Sequence, residues 1–481
     1  MRAATNSTAT TEGVELRLTF RSPDALLYVL GALFTSIFAY EATIRGGIVS
    51  LGLLVTLGAF AAATYAFLVA PQLAIAFTIP LFAILPAAKV LVAPQLGPIK
   101  DGIVLAAALA ALVTTTLARR RGGSAVAERW LVVPIVLLLS LYVFNVAGSH
   151  DIAWLQGVRL FSEPVLLLFA GLALPRPQRT LRWAVWSLLA TGCFVAGVGL
   201  AQQAVGQWRL ADIGFTFNQQ IRTIQGHLRS FGTMDDPFAY ASFLTLAGGA
   251  CVFALRRSTF ALAVGGLLLA GIAAAYVRTS LLIVFAILAL ELARRRRSVV
   301  AAALAVAIVV FAVVLLARSS GTESRTYANP TASASITLNG RTSAWRTALG
   351  SAWDWPFGRG VGEVGTAAAR AGYTFAVSGA ETRQSRALVV DSGYFATIAD
   401  VGMAGLIVLL ALYGRAAVLA RAAAVRGSTG GWIALTTIAV LLIDALTRSS
   451  FTGFPTAFLG MLLLGVALAA AHEERTLADR Q

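Results

Sequence analysis

Long apolar runs alternate with short, arginine-bearing connectors along almost the whole chain. A run of about 18 or more apolar residues can cross a bilayer as a helix. Such runs centre on 24–42, 48–70, 73–92, 102–118, 131–147, 163–175, 183–204, 237–255, 259–277, 279–293, 298–317, 393–414, 431–447 and 451–471. Two are weak: 163–175 is short and bounded by Pro164 and Pro175, and 279–293 follows its neighbour almost without a loop. The expected fold is therefore all-α, a polytopic integral membrane protein with about 12–14 transmembrane helices.

Lys and Arg in short loops mark the cytoplasmic side. The basic clusters are Arg119–Arg121 with Arg129, Arg176/Arg179/Arg182, Arg256–Arg257, Arg294–Arg297 and Arg415/Arg421/Arg426. With fourteen alternating spans and a cytoplasmic N-terminus, all of them fall on that side. The expected organisation is a polar cytoplasmic tail over 1–22, without a cleavable signal peptide, and transmembrane helices over 23–317 with an outward loop at 205–236. A large outward loop with amphipathic helices over 318–392 follows, then transmembrane helices over 393–471 and a cytoplasmic tail over 472–481.

Composition strengthens this reading. The chain is 58% hydrophobic and 12% charged, where soluble domains carry about 45–50% and about 25%. A cytosolic globular enzyme, a disordered chain and a disulfide scaffold are excluded. Basic residues number 38 against 22 acidic, a net +16, and Lys89 and Lys100 are the only lysines. Much of that charge is an orientation signal, so a nucleic-acid partner is not expected; the remainder faces outward and calls for something anionic. Cys193 and Cys251 lie in apolar runs and imply no disulfide framework.

Three outward arginines sit at span boundaries within distinctive local sequence. Arg278 interrupts Ala273–Leu281, apolar on both sides. A charge at membrane depth is costly unless paired or facing a polar cavity; a turn residue reaching to the interface is the simpler alternative. Arg229 lies in Gly226-His227-Leu228-Arg229-Ser230-Phe231-Gly232-Thr233-Met234-Asp235-Asp236-Pro237, just before a span. Asp235 or Asp236 could cap that helix with Pro237 in its first turn, and the helix start would aim its N–H groups at an anion. Arg341, in Asn339-Gly340-Arg341-Thr342-Ser343-Ala344-Trp345, opens an amphipathic stretch of the large loop. Guanidinium forks bind phosphate oxygens bidentately. If the three converge, they would neutralise a diphosphate and stabilise it as a leaving group.

A general base must be acidic or imidazole in type. Asp391, in Val389-Val390-Asp391-Ser392-Gly393-Tyr394, stands at the mouth of a span, either as base or as helix cap. His227 is a second candidate base or a plain loop histidine. Arg159, Asp235, Asp236 and Tyr394 are supporting candidates. No phosphate-binding loop, CxxC pair, HExxH or EF-hand spacing is present, so no nucleotide, cofactor or tightly bound metal is expected. An outward-facing enzyme has no ATP, and its substrate must arrive activated.

These motifs resemble the O-antigen ligase/polymerase superfamily of bacterial envelope glycosyltransferases. Arg229-Ser230-Phe231-Gly232-Thr233 with Asp235-Asp236-Pro237-Phe238-Ala239 is similar to the family's Arg–Gly–Thr…Asn-Pro-Asn…Ala segment, with Phe238 where a second asparagine is usual. Arg278-Thr279-Ser280 resembles its Ser-Arg element. Asn339-Gly340-Arg341 with Trp345 resembles its Arg…Trp helix. Pro356-Phe357-Gly358-Arg359-Gly360-Val361-Gly362 resembles its glycine-rich turn. Asp391-Ser392-Gly393-Tyr394 leading to Asp400-Val401-Gly402-Met403-Ala404-Gly405 resembles its His-Asn-x-Tyr…Glu-x-Gly-x-x-Gly stretch, with Asp391 in place of the histidine.

The resemblance implies metal-independent transfer of a glycan from undecaprenyl diphosphate to a hydroxyl of a glycan or glycolipid acceptor. It places that reaction at the outer face of the bacterial cytoplasmic (inner) membrane, alongside polysaccharide export or assembly proteins. Arg229 and Arg341 are then diphosphate contacts, with Arg278 beside them and Asp391 as base. The aspartate weakens the reading as a ligase onto lipid A-core and favours a polymerase or a ligase onto another acceptor. The rival is a transporter or flippase for an anionic lipid-linked saccharide, which would show mid-depth charges and repeat symmetry.

Overall fold

The computed structural model describes residues 47–93, 96–120, 129–217, 220–224, 226–255, 259–295, 349–350, 356–363, 367–368 and 392–478. The chain divides into two compact units at Ala62/Ala63; the first is described from Gly47 and is helical there. The candidate site belongs to the second.

Thirteen helices are formed among the described residues. They are α1 Gly47–Val69, α2 Pro71–Leu91, α3 Ile99–Arg120, α4 Arg129–Phe144, α5 Ile152–Ala173, α6 Pro177–Val205, α7 Gln207–Ile213, α8 Pro237–Ala254, α9 Thr259–Ala274, α10 Arg278–Arg294, α11 Gly393–Val425, α12 Thr429–Asp444 and α13 Thr456–Ala478. Two three-residue strands, β1 Arg222–Ile224 and β2 His227–Arg229, make an antiparallel hairpin. Seven of the helices are long and apolar enough to cross a membrane, and the protein is an all-α polytopic membrane protein. The apolar runs 24–42 and 298–317 lie outside the described residues, as do Arg341 and Asp391.

The segment between the apolar runs 131–147 and 163–175 is helix from Ile152 onward, and the weak run 163–175 is the second half of a 22-residue α5. The carboxylate of Asp151 caps this helix, accepting from the N–H groups of Ala153 and Trp154. Pro164 is carried inside the helix.

Burial separates inner from outer helices, which apolarity cannot do when a helix is apolar all round. The apolar windows of α13 and α8 are 89% and 78% buried, against 50% or less for the other long helices. Close crossings use small residues, as lipid-embedded helices require. A methyl on Gly171 of α5 would stand 2.7 Å from the Val466 nitrogen of α13, and one on Gly465 would stand 3.0 Å from the Leu172 nitrogen.

Candidate functional site

The site grows from the end of α6. There Gln202 and Gln203 hold the backbone that follows β2. The Gln202 carbonyl oxygen accepts the N–H groups of Phe231 and Gly232, and its amide donates to the Gly232 carbonyl. Gln203 donates to the Leu228 carbonyl and the Ser230 hydroxyl. Beneath the hairpin, Leu210, Phe215, Ile221, Leu228 and Phe231 form a small core of their own. Along β2 His227 is exposed, while Leu228 and Arg229 are both buried, Arg229 at 6% exposure.

Arg229 reaches the turn between α9 and α10. Its Nε donates to the Ala275 carbonyl at 3.1 Å and Nη2 to the Tyr276 carbonyl at 3.4 Å. Ser230 N–H donates to the Ala274 carbonyl at 2.9 Å. Three carbonyls at the α9 terminus, which lack helical partners, are thereby satisfied. Tyr276 has φ +53°, an uncommon conformation for a bulky residue, and His227 stacks on its ring at 6.1 Å. The guanidinium carbon of Arg229 lies 4.7 Å over the ring of Phe238. Phe238 thus supplies a cation–π platform.

Arg278 opens α10 two residues after Tyr276 and is exposed. The same turn therefore carries Arg278 and receives Arg229. Next to Arg278, the Thr279 hydroxyl meets the Thr447 hydroxyl at 2.7 Å, and the buried Ser280 hydroxyl has no hydrogen-bond partner among the described residues. Thr447 belongs to the α12–α13 connection, which also seats the start of α11. The Ala445 carbonyl accepts from Ser392 Oγ at 3.0 Å and from Gly393 N–H at 2.8 Å, while Tyr394 OH donates to the Leu442 carbonyl at 2.7 Å. The first turns of α8, α10 and α11 and the 445–455 connection thus gather at one end of the bundle.

Asp236, not Asp235, caps α8, accepting from Ala239 N–H at 2.7 Å; Asp235 faces Lys89 at 3.8 Å. Arg159 is a member of a four-charge cluster rather than a group held in an outward loop. It bonds Asp101 and donates to Glu163 at 3.0 Å, while Lys100 lies 2.5 Å from both Asp101 and Glu163. Two cations balance two carboxylates there, which is sufficient reason for Arg159.

Sequence reasoning did not single out the second role of the glycine-rich turn. Gly358, Gly360 and Gly362 all have positive φ (79°, 113° and 88°), as does Gly402 (71°), where α11 breaks. The Pro356 carbonyl accepts from Ala404 N–H at 3.2 Å, and Arg359 N–H donates to the Ala399 carbonyl at 2.8 Å. The backbone groups released by the break are thus paired by the turn, as buried backbone in a membrane protein requires. On its other side Val361 N–H donates to Asn145 Oδ1 at 2.6 Å. A methyl on Gly148 would stand 2.8 Å from Gly360 Cα. The glycine spacing was the visible signal; its seat, some two hundred residues earlier in the chain, was not.

Fold and site together define a many-helix membrane protein with arginines collected at one end of its bundle. Residues 241–410 match the family described as O-Antigen ligase, and this supports the O-antigen ligase/polymerase superfamily for the chain. The matched stretch contains Arg278, the glycine-rich turn and the start of α11, and leaves Arg229 just outside. No curated protein matches the sequence.

Proposed function

We propose that the protein is a glycosyltransferase of the O-antigen ligase/polymerase type, acting at the outer face of a bacterial inner membrane. It takes a glycan from undecaprenyl diphosphate and transfers it to a hydroxyl of a glycan or glycolipid acceptor. The observation that carries this reading is the meeting of Arg229 with the turn that bears Arg278, at the gathered helix starts. The family match over 241–410 supports chemistry of this class.

The acceptor oxygen attacks the anomeric carbon and forms the new glycosidic bond. The bond from that carbon to the diphosphate oxygen breaks, and the hydroxyl proton passes to Asp391. Undecaprenyl diphosphate leaves with one more negative charge, which guanidinium groups stabilise without proton transfer. Arg341 joins Arg229 and Arg278 in this role.

The test has two arms. Deletion of the gene followed by electrophoresis of surface polysaccharides should remove long chains, with one repeat retained for a polymerase or free lipid-linked polymer accumulating for a ligase. Purified protein given lipid-linked glycan and acceptor should form a covalent product, and Arg278→Ala should reduce it at least tenfold at equal protein level. Lipid-linked glycan moved across the bilayer with no covalent product would refute the proposal.

A further inference from the structure

The connection between α12 and α13 holds a charged side chain to which the reaction above assigns no task. Arg448 is largely buried, with its side chain 14% exposed. Its nearest acid is Asp444, and the separation is 3.8 Å, too long for a hydrogen bond. Both Asp444 oxygens are engaged elsewhere: Oδ1 accepts from Ser242 Oγ at 2.6 Å, and Oδ2 from Ser450 Oγ. The two hydrogen bonds Arg448 does donate, from Nη1 to Thr456 Oγ1 and from Nη2 to the Phe454 carbonyl, are both 3.5 Å long. Charge-assisted bonds to a guanidinium normally span about 2.7–2.9 Å. A guanidinium has five N–H donors, and among the described residues Arg448 has no partner for its Nε. With one ion pair at 3.8 Å and two long hydrogen bonds, this largely buried guanidinium keeps donor capacity for a further anionic partner.

Its position supplies the missing reason. The Arg448 carbonyl accepts from Gly393 N–H at 2.8 Å, two residues after Asp391 in the chain. On its other side Thr447 bonds Thr279, the residue after Arg278. Arg448 therefore stands at the seam between the two motif elements that line the proposed site. It lies beyond the matched stretch 241–410.

We propose that Arg448 is a further binding residue for the donor, its guanidinium contacting the diphosphate from the α12–α13 side. This rests on the glycosyltransferase reading above. Asp444, held by Ser242 and Ser450, acts as a positioning residue that fixes the arginine's helix end without consuming its donors.

The experiment measures binding, not turnover. The full-length protein in lipid nanodiscs is titrated with undecaprenyl diphosphate and, separately, with undecaprenyl monophosphate; thermal unfolding is recorded for each variant. Arg448→Gln should weaken diphosphate binding at least tenfold while the melting temperature stays near that of the wild type. Arg448→Lys keeps the charge and loses the fork, and should weaken it severalfold. The monophosphate should lose less than the diphosphate in both. Wild-type affinity in Arg448→Gln would overturn the proposal, as would a lower melting temperature with unchanged affinity. If Arg448→Gln does not fold, wild-type diphosphate affinity in Arg448→Lys overturns it. Failure of the wild-type protein to bind either lipid would instead overturn the donor reading on which the proposal rests.

Discussion

Under the proposed function, Arg229 would serve the fold and the chemistry at once. Two of its donors close the end of α9, and its flat face lies over Phe238. The strained Tyr276 carbonyl is one of the groups it holds, and a left-handed bulky residue costs about 1–3 kcal/mol unless its surroundings fix it. Replacing Arg229 therefore mixes a folding loss with a chemical one. Phe238 separates the two. A cation–π contact is worth about 0.5–2 kcal/mol, so Phe238→Leu should raise the donor KM about two- to thirtyfold at near-normal protein level, with Phe238→Tyr close to wild type. Steady-state kinetics with varied lipid-linked donor check this, and an unchanged KM would reduce the ring to packing. The setting of Arg229 before a span singled it out in the sequence. Its carbonyl partners were not, because a basic residue ahead of one helix gives no sign that it closes another.

At the scale of elements, apolar run length located the described helices other than the short α7 to within a few residues at most ends, since a bilayer imposes length and apolarity on every span alike. Two features escaped. The first half of α5 reads as a polar loop because Arg159 and Glu163 fall within it; their pairing with Lys100 and Asp101 is long-range and invisible locally. The break in α11 at Gly402 lies inside an apolar run, and glycine in a helix is not by itself a break. Its meaning comes from Pro356 and Arg359, which pair the released backbone groups. Gly402→Ala should thus be more damaging than an ordinary helical glycine substitution. It combines a positive φ with a Cβ driven into the Pro356 carbonyl, and should cost about 1–3 kcal/mol from the backbone alone. Thermal unfolding in detergent, with Gly414→Ala in the same helix as the control, measures the difference; equal melting temperatures would show that the break is not needed.

For the whole molecule, the cluster of Lys100, Asp101, Arg159 and Glu163 is the principal polar knot tying α3 to α5 within an apolar bundle. Lys100 and Glu163 have side chains 9% and 8% exposed, and removing one partner of a buried pair costs about 3–5 kcal/mol. Lys100→Met should lower the melting temperature markedly, and Lys100→Met with Glu163→Leu should recover much of the loss; a double variant no better than the single would disprove the pairing argument. Long-range dependence of this kind also bears on modularity. The similarity to the O-antigen ligase family begins at 241 and stops at 410, yet Gly360 rests on Gly148, Val361 on Asn145, and the end of α9 on Arg229. The borders of sequence kinship therefore do not coincide with the borders of a cooperative body. Grafted into another helical frame, the segment would arrive with its glycine turn lacking a seat and one of its helices uncapped, so it is inherited as part of a frame and not as a transferable cassette.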